Sequence, residues 1–386
     1  MPIVHRATPV RRRYAEPPMQ AAEPLLRVLE AVIGLLLIAI VLYDVFESII
    51  LPRPTPSRLR PAAMLVRGGW PLWRAFGEVA KTVDRRERRL GIFAPLVVLV
   101  LLGLWIVMLI VGYGLLFDVL AGQLEPSPPD LLTAMYFAAV SLLTIGYGDI
   151  VATSGAGRIV AIGAGGSGLA IVAVAAAYLF SLYASFQRRE VLVVTLDARA
   201  GAPPSGVTLL ESCVKFGPDR ELARIFSAWE HWSAEVLESH LAYPILVFFR
   251  STHDQESWVA ALGALLDAAT LVLTTVEDGP TGQAKVMRAI GAHLIEDIAY
   301  FFRFSYPQDP GVERAEFDQA RRQLEAAGYR ITLDADAAWE KFANLRSDYA
   351  GRLNVLARYL SVPPAQWIGD RTLMLHPPGR ARFGRS

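Results

Sequence analysis

Two stretches of this 386-residue chain, Ile92 to Phe117 and Ile159 to Phe186, contain no charged residue. No other feature restricts the possible folds as much. As a helix the first would reach about 39 Å at about 1.5 Å per residue, against a bilayer hydrocarbon core of about 30 Å. Both stretches are expected to span a membrane. The second is rich in Gly and Ala, which suits helices packed closely near an axis. Between them, Asp118 to Pro129 is a turret with three prolines, and Asp130 is a good helix N-cap. Leu131 to Leu143 then reads as an apolar helix too short to cross, and therefore re-entrant. The hexapeptide Thr144-Ile145-Gly146-Tyr147-Gly148-Asp149 follows it directly.

Composition agrees with membrane segments attached to a soluble part. Mean hydropathy is +0.34, too high for an ordinary soluble enzyme. The formal net charge of +1 gives no general attraction to nucleic acid, so no nucleic-acid partner is expected. Cys213 is the single cysteine, which excludes a disulfide framework and a thiolate metal cluster. The length allows two or three domains.

Residues 1–24 are Pro- and Arg-rich and are expected to lack fixed structure. Residues 25–51 form a candidate N-terminal membrane helix, with no small-x-small cleavage site after it. Glu30, Asp44 and Glu47 interrupt its apolar run. A carboxylate near a helix centre costs roughly 3 kcal/mol on insertion. Asp44 and Glu47 share one face, which should meet protein, water or arginines rather than lipid.

Residues 52–90 are strongly basic, and Arg60, Arg67, Arg74, Lys81 and Arg88 recur at every seventh position with Trp70, Trp73, Phe76 and Val79 between them. A voltage-sensing helix would carry arginines every third residue in an apolar span. The pattern instead fits an amphipathic segment on the inner membrane surface, broken at Pro61 and Pro71. By the positive-inside rule this segment and Arg188-Arg189 lie in the cytoplasm, and the re-entrant loop dips in from outside.

Residues 188–376 read as a soluble, mainly helical domain, and 377–386 as a basic disordered tail. Val191 to Leu196 resembles a short strand. Helices are expected over Asp219–Leu241, Gln255–Val276, Thr281–Phe304, Val312–Ala327 and Ala335–Leu360. Trp258 to Val276 is apolar apart from Asp267 and reads as a buried bundle helix rather than a further span. Glu230, His231, Glu235, Glu238 and His240 form the best titratable cluster, and His293 with Glu296 and Asp297 a weaker one. Both read as solvated helix faces before metal or proton sensors. The soluble part has no nucleotide fingerprint, Walker loop, HExxH or CxxC, and no set of nucleophile, base and oxyanion donors. Enzyme activity is not expected, nor is a cofactor.

Residues 92 to 187 resemble the pore domain of potassium channels, most closely over Ala139-Val140-Ser141-Leu142-Leu143 and the hexapeptide, with Gly157-Arg158 opening the inner helix. The whole chain is similar to bacterial potassium-channel-family proteins through Asp44-Val45-Phe46-Glu47, Leu51-Pro52-Arg53 and Leu196-Asp197-Ala198-Arg199-Ala200-Gly201. The resemblance implies an all-α membrane protein. It would have an N-terminal membrane helix, a pore domain of outer helix, pore helix, filter and inner helix over 91–187, and a helical cytoplasmic domain.

It also implies that Thr144, Ile145, Gly146, Tyr147 and Gly148 from four chains line a filter whose backbone carbonyls replace the hydration shell of K+, the known mechanism of that family. Glycines at Gly146 and Gly148 permit the backbone angles this needs. Asp149 would sit at the pore mouth, where its charge concentrates cations. Tyr136, Phe137 and Val140 would brace the filter from behind. The family often has paired tryptophans at Tyr136-Phe137, and some relatives have a glutamate at Val140 that partners the mouth aspartate. Gly168 falls on the family's gating hinge, although packing alone would also explain a glycine there.

The implied assembly is a C4 homotetramer in the bacterial inner membrane, crossing it several times, with lipid around it and K+ as the permeant species. The resemblance lends the soluble domain no ligand. A membrane-anchored sensory or scaffold protein with a non-conducting pore-like domain is the alternative.

Overall fold

The computed structural model describes residues 23–50, 61–214, 218–251 and 257–369. The expectations for the N-terminal arm, for Arg53, Arg58 and Arg60, and for the tail after Pro377 lie outside these residues. In chain order the helices are α1 (Glu23–Val45, extended by a π turn over Phe46–Ile50), α2 (Pro61–Glu78), α3 (Val83–Gly91) and α4 (Phe93–Val119). The short α5 (Leu131–Leu142) and the long α6 (Gly155–Ala200) follow. Next come α7 (Gly206–Val214), α8 (Pro218–Ala242), a 3-10 turn at Pro244–Phe248, α9 (Trp258–Thr274) and α10 (Thr281–Phe302). The last are α11 (Arg314–Ala327), α12 (Ala335–Ser347) and α13 (Ala350–Leu360). Three helical stretches are long and apolar enough to cross a membrane: Pro24–Ile49, Val83–Val119 and Gly155–Ala200. The chain is an all-α membrane protein.

The chain forms two compact units. The first comprises described residues up to Tyr43 together with Gly103–Ala173. Here α1 and α4 meet at Gly34 and Gly112, where a Cβ on Gly34 would lie 2.7 Å from the Gly112 carbonyl oxygen. The C-terminal part of α4 packs on α5 at Gly114, against Met135, and through the Phe117 and Phe137 rings, whose centroids are 4.6 Å apart. Two-residue strands β1 (Leu124–Glu125) and β2 (Val151–Ala152) pair antiparallel and tie the turret to the segment after the hexapeptide.

The second unit comprises Asp44–Leu102 and the described residues from Val174 onward. Its centre is α9, in which every residue but Leu273 is buried, as expected for a helix apolar all round. Asp267 is the exception in character. Its carboxylate takes a two-pronged contact from the buried Arg346, at 2.8 and 3.2 Å, and a hydrogen bond from Tyr349 Oη at 2.7 Å. Burial opposes the Arg346 charge, yet the neighbouring carboxylate outweighs it and holds the guanidinium pKa above its usual value. Burial, then Asp267, pushes the Tyr349 phenol well above its usual value. Asp44 and Glu47 are fully buried, and Asp44 Oδ2 accepts the Ala62 N–H at 3.2 Å, placing a carboxylate at the start of α2.

Three expectations are corrected. Val191 to Leu196 is not a strand, because α6 continues helically to Ala200. Val193, Leu196 and Ala200 are buried at helical spacing, and burying that stripe outweighs a β-branched penalty of well under about 1 kcal/mol per residue. Pro71 does not break the segment, since α2 runs through it, and the residues before Pro61 lie outside the described ones. Pro61 is the first helical residue, where a missing N–H is harmless, and Pro71 lies within α2. Beside it, buried Trp70 donates its indole N–H to the Tyr359 carbonyl at 3.0 Å and contacts Phe93 and Phe248. The expected helix Ala335–Leu360 divides at Asp348-Tyr349, where Tyr349 departs from helical geometry at φ −125°, ψ −26° and its hydroxyl reaches Asp267. In addition, α7 and the Pro244–Phe248 turn have no counterpart among the expected elements.

Candidate ion-conduction site

The site begins at Asp130. Its Oδ1 accepts the Thr133 N–H and hydroxyl, each at 2.8 Å, and starts α5 after Pro128-Pro129. The C-terminal end of α5 turns directly into the hexapeptide. Val140 C=O accepts the Ile145 N–H at 2.9 Å and the Gly146 N–H at 3.4 Å, and Ser141 C=O accepts the Thr144 N–H at 3.1 Å. These bonds fix the first residues of the strand against the helix end, where the helix dipole is negative.

Every second residue of the strand has a positive φ: Thr144 at 55°, Gly146 at 65° and Gly148 at 77°. L-residues disfavour this region, glycine does not, and a threonine there is strained. Successive carbonyls can share one side of a strand only if alternate residues adopt such backbone angles. The strain at Thr144 is invisible in the sequence, since nothing in a β-branched residue signals it.

The three residues expected behind the filter divide into two kinds. Phe137 and Val140 are buried, with Phe137 against Phe117. Tyr136 is partly exposed and donates its hydroxyl to Asp149 Oδ2 at 2.8 Å. Val140 supplies no side-chain partner to Asp149, but Tyr136, thirteen residues before it, does. Beneath α5, a Cβ on Gly168 would lie 1.7 Å from the Leu142 carbonyl oxygen, and one on Gly165 would lie 3.4 Å from Ser141 O. Close helix approach therefore accounts for Gly168, and α6 runs through it without interruption. Tyr113 Oη lies 2.7 Å from Ser167 Oγ and links α4 to α6.

Within a single chain the strand is open. Thr144 through Asp149 are all exposed, including the side chains of Ile145 and Tyr147. On α6, Ile159, Ile162, Leu169 and Phe180 are also exposed.

The titratable cluster on α8 divides between two faces. His231, Glu235 and Glu238 are exposed, whereas His240 is buried. His240 Nε2 lies 3.1 Å from Arg189 Nη1, and because arginine can only donate, this nitrogen is the acceptor and the ring is neutral. Burial, then the Arg189 charge, pushes the His240 pKa well below its usual value. Arg189 itself is buried and also donates to the carbonyls of Leu246 at 2.9 Å and Phe249 at 2.7 Å, with Glu190 Oε1 2.9 Å away. Trp232 Nε1 returns a bond to the Arg189 carbonyl at 2.8 Å. Sequence reasoning reads Arg189 only as a marker of the cytoplasmic side. The exposed His293 and the half-buried Asp297 lie 3.6 Å apart. Among the described residues no group of three such side chains is placed to hold a metal.

The fold and site define an all-α membrane protein with an ion-channel pore domain, and residues 96–185 match the family model described as ion channel. A protein of Bacillus subtilis (strain 168), described as the uncharacterized membrane protein YdjJ, is 22% identical over 186 residues. That match covers 47% of this chain and 54% of the relative, so the chain spans about half the length of that protein. No solved structure matches the chain.

Proposed function

We propose that this chain is one subunit of a potassium-selective channel in the bacterial inner membrane. The observation that carries this reading is the alternation of positive φ at Thr144, Gly146 and Gly148 directly after a helix too short to cross a membrane. Such a strand offers a file of carbonyls on one side, and a ring of these replaces the water around a desolvated cation. One strand supplies only part of a ring, so four chains about a shared axis are required. The exposed faces of Ile145 and Tyr147, and of α6, are surfaces that neighbouring subunits would cover. Asp149, held by Tyr136, supplies negative charge at the outer mouth. We also propose Gly168 as the hinge of α6, at a point where packing against Leu142 already demands a glycine.

The test is a flux assay on protein reconstituted in liposomes. Wild type should pass K+ and carry Na+ poorly, and Gly146→Ala should lose the flux, because an L-residue is strained at a φ of 65°. Equal passage of Na+ would defeat the selectivity claim. A tetramer with an intact fold that passes no ion would favour the sensory or scaffold reading.

A further inference from the structure

The second unit contains a cavity of about 660 Å³, within the range of about 300–1,000 Å³ usual for ligand sites. Part of its wall is membrane helix: Val97, Val98 and Leu101 belong to α4 and Tyr178 to α6, two of the three helices long and apolar enough to span. A second part of the lining comes from the helical bundle, chiefly the aromatic rings of Phe248, Phe302, Phe304 and Tyr359. The third contributor is the first two turns of α2, from Ala62 to Arg67.

The polar character of this wall is one-sided. Arg67 and Arg303 both line the cavity, both are exposed, and neither forms an ion pair among the described residues. No aspartate or glutamate lines it among those residues. Arg303 is held in the left-handed region at φ 56°, a conformation non-glycine residues seldom adopt, at the end of α10. The start of α2 is not the anion site, because Asp44 already accepts the Ala62 N–H there. An apolar cavity bounded by membrane helix and edged by two arginines without carboxylate partners among the described residues matches one kind of occupant. That occupant is an amphiphile with an acyl chain and an anionic head.

We infer that this cavity is a binding site for an anionic membrane phospholipid, with an acyl chain against Val97, Leu101 and Phe302 and the headgroup at Arg67 and Arg303. The membrane is the source because the cavity wall is shared with two spanning helices. The occupied site would hold α2, α4 and the bundle together around one lipid chain.

The test uses the purified full-length protein and reads lipid retention by native mass spectrometry, with no dependence on conduction. The probes are dioleoyl phosphatidylglycerol, dioleoyl phosphatidylcholine and sodium oleate. Wild type should retain phosphatidylglycerol well above phosphatidylcholine. The double variant Arg67→Ala/Arg303→Ala should weaken phosphatidylglycerol about 10- to 30-fold, with Arg67→Lys/Arg303→Lys retaining most of it. Ala63→Trp, which adds bulk to the wall, should lower retention of every chain-bearing probe. Equal retention of the two phospholipids would overturn the proposal, as would unchanged retention in the double alanine variant. Binding of oleate without phosphatidylglycerol would overturn the membrane source.

Discussion

Replacing Gly168 by alanine tests how α6 supports the segment after α5 that we propose as the filter. The new methyl group would sit 1.7 Å from the Leu142 carbonyl oxygen and 2.7 Å from its carbon. Carbon–oxygen contacts settle near about 3.5 Å, so α6 and α5 must part by more than about 1.5 Å. Both sides of the clash are backbone, and no rotamer relieves it. Overpacking costs typically about 1–3 kcal/mol, and this contact belongs at about 3 kcal/mol per subunit. Leu142 ends the helix whose Val140 and Ser141 carbonyls hold the strand at Thr144, Ile145 and Gly146, so the displacement should reach the filter. In liposomes Gly168→Ala should lose K+ over Na+ discrimination as well as flux, and thermal unfolding in detergent should begin several degrees lower. Gly166 is the control, two residues away, where an added Cβ would meet nothing within 4 Å. There alanine should be neutral or stabilising by up to about 1 kcal/mol through helix propensity alone. If the two variants behave alike, close approach at Leu142 is not what Gly168 provides. If Gly168→Ala matches wild type in stability and selectivity, the packing argument is refuted.

Two further outcomes follow from single contacts. Tyr136→Phe removes the hydrogen bond to Asp149 and leaves the ring. Flux should fall or decline during recording without loss of assembly, whereas indistinguishable currents would show that the bond does not steady the filter. His240 is held neutral when folded, while the unfolded chain protonates it near about pH 6.5. Below about pH 6.5 the unfolded state therefore binds more protons and the folded protein loses stability, until the folded ring also protonates. His240→Gln keeps an acceptor for Arg189 and should flatten the change in unfolding midpoint between about pH 7 and pH 5. An unaltered slope in that variant would assign the acid sensitivity to other groups.

Much of the membrane part was legible because lipid allows few solutions. A charge-free run of sufficient length, a Pro-Pro-Asp helix start and a six-residue motif all act locally, and α4, α5 and α6 begin within a few residues of where the sequence puts them. The departures lie where distant partners decide. Val191 to Leu196 has the composition of a strand, and only Val193 and Leu196 meeting a core makes it helix. Pro71 lies within α2 beside Trp70, which is anchored to Tyr359 nearly three hundred residues later in the chain. Arg189 could not be told from an arginine facing cytoplasmic water, since the carbonyls of Leu246 and Phe249 that receive it belong to an irregular turn with no sequence signature. In the hexapeptide the two glycines announce themselves, whereas the positive φ of Thr144 and the Tyr136 to Asp149 bond do not.

The alternation at 144, 146 and 148 also has a consequence in terms of chirality. At these positions the backbone has the handedness natural to mirror-image amino acids. Translation supplies left-handed building blocks and one achiral one. A file of carbonyls on one side of a strand is thus a shape that ribosomal chemistry reaches only by leaving side chains out, as at Gly146 and Gly148, or by forcing one in, as at Thr144. What fixes these letters of the motif is the stereochemistry of the backbone, since two of the three carry no side chain.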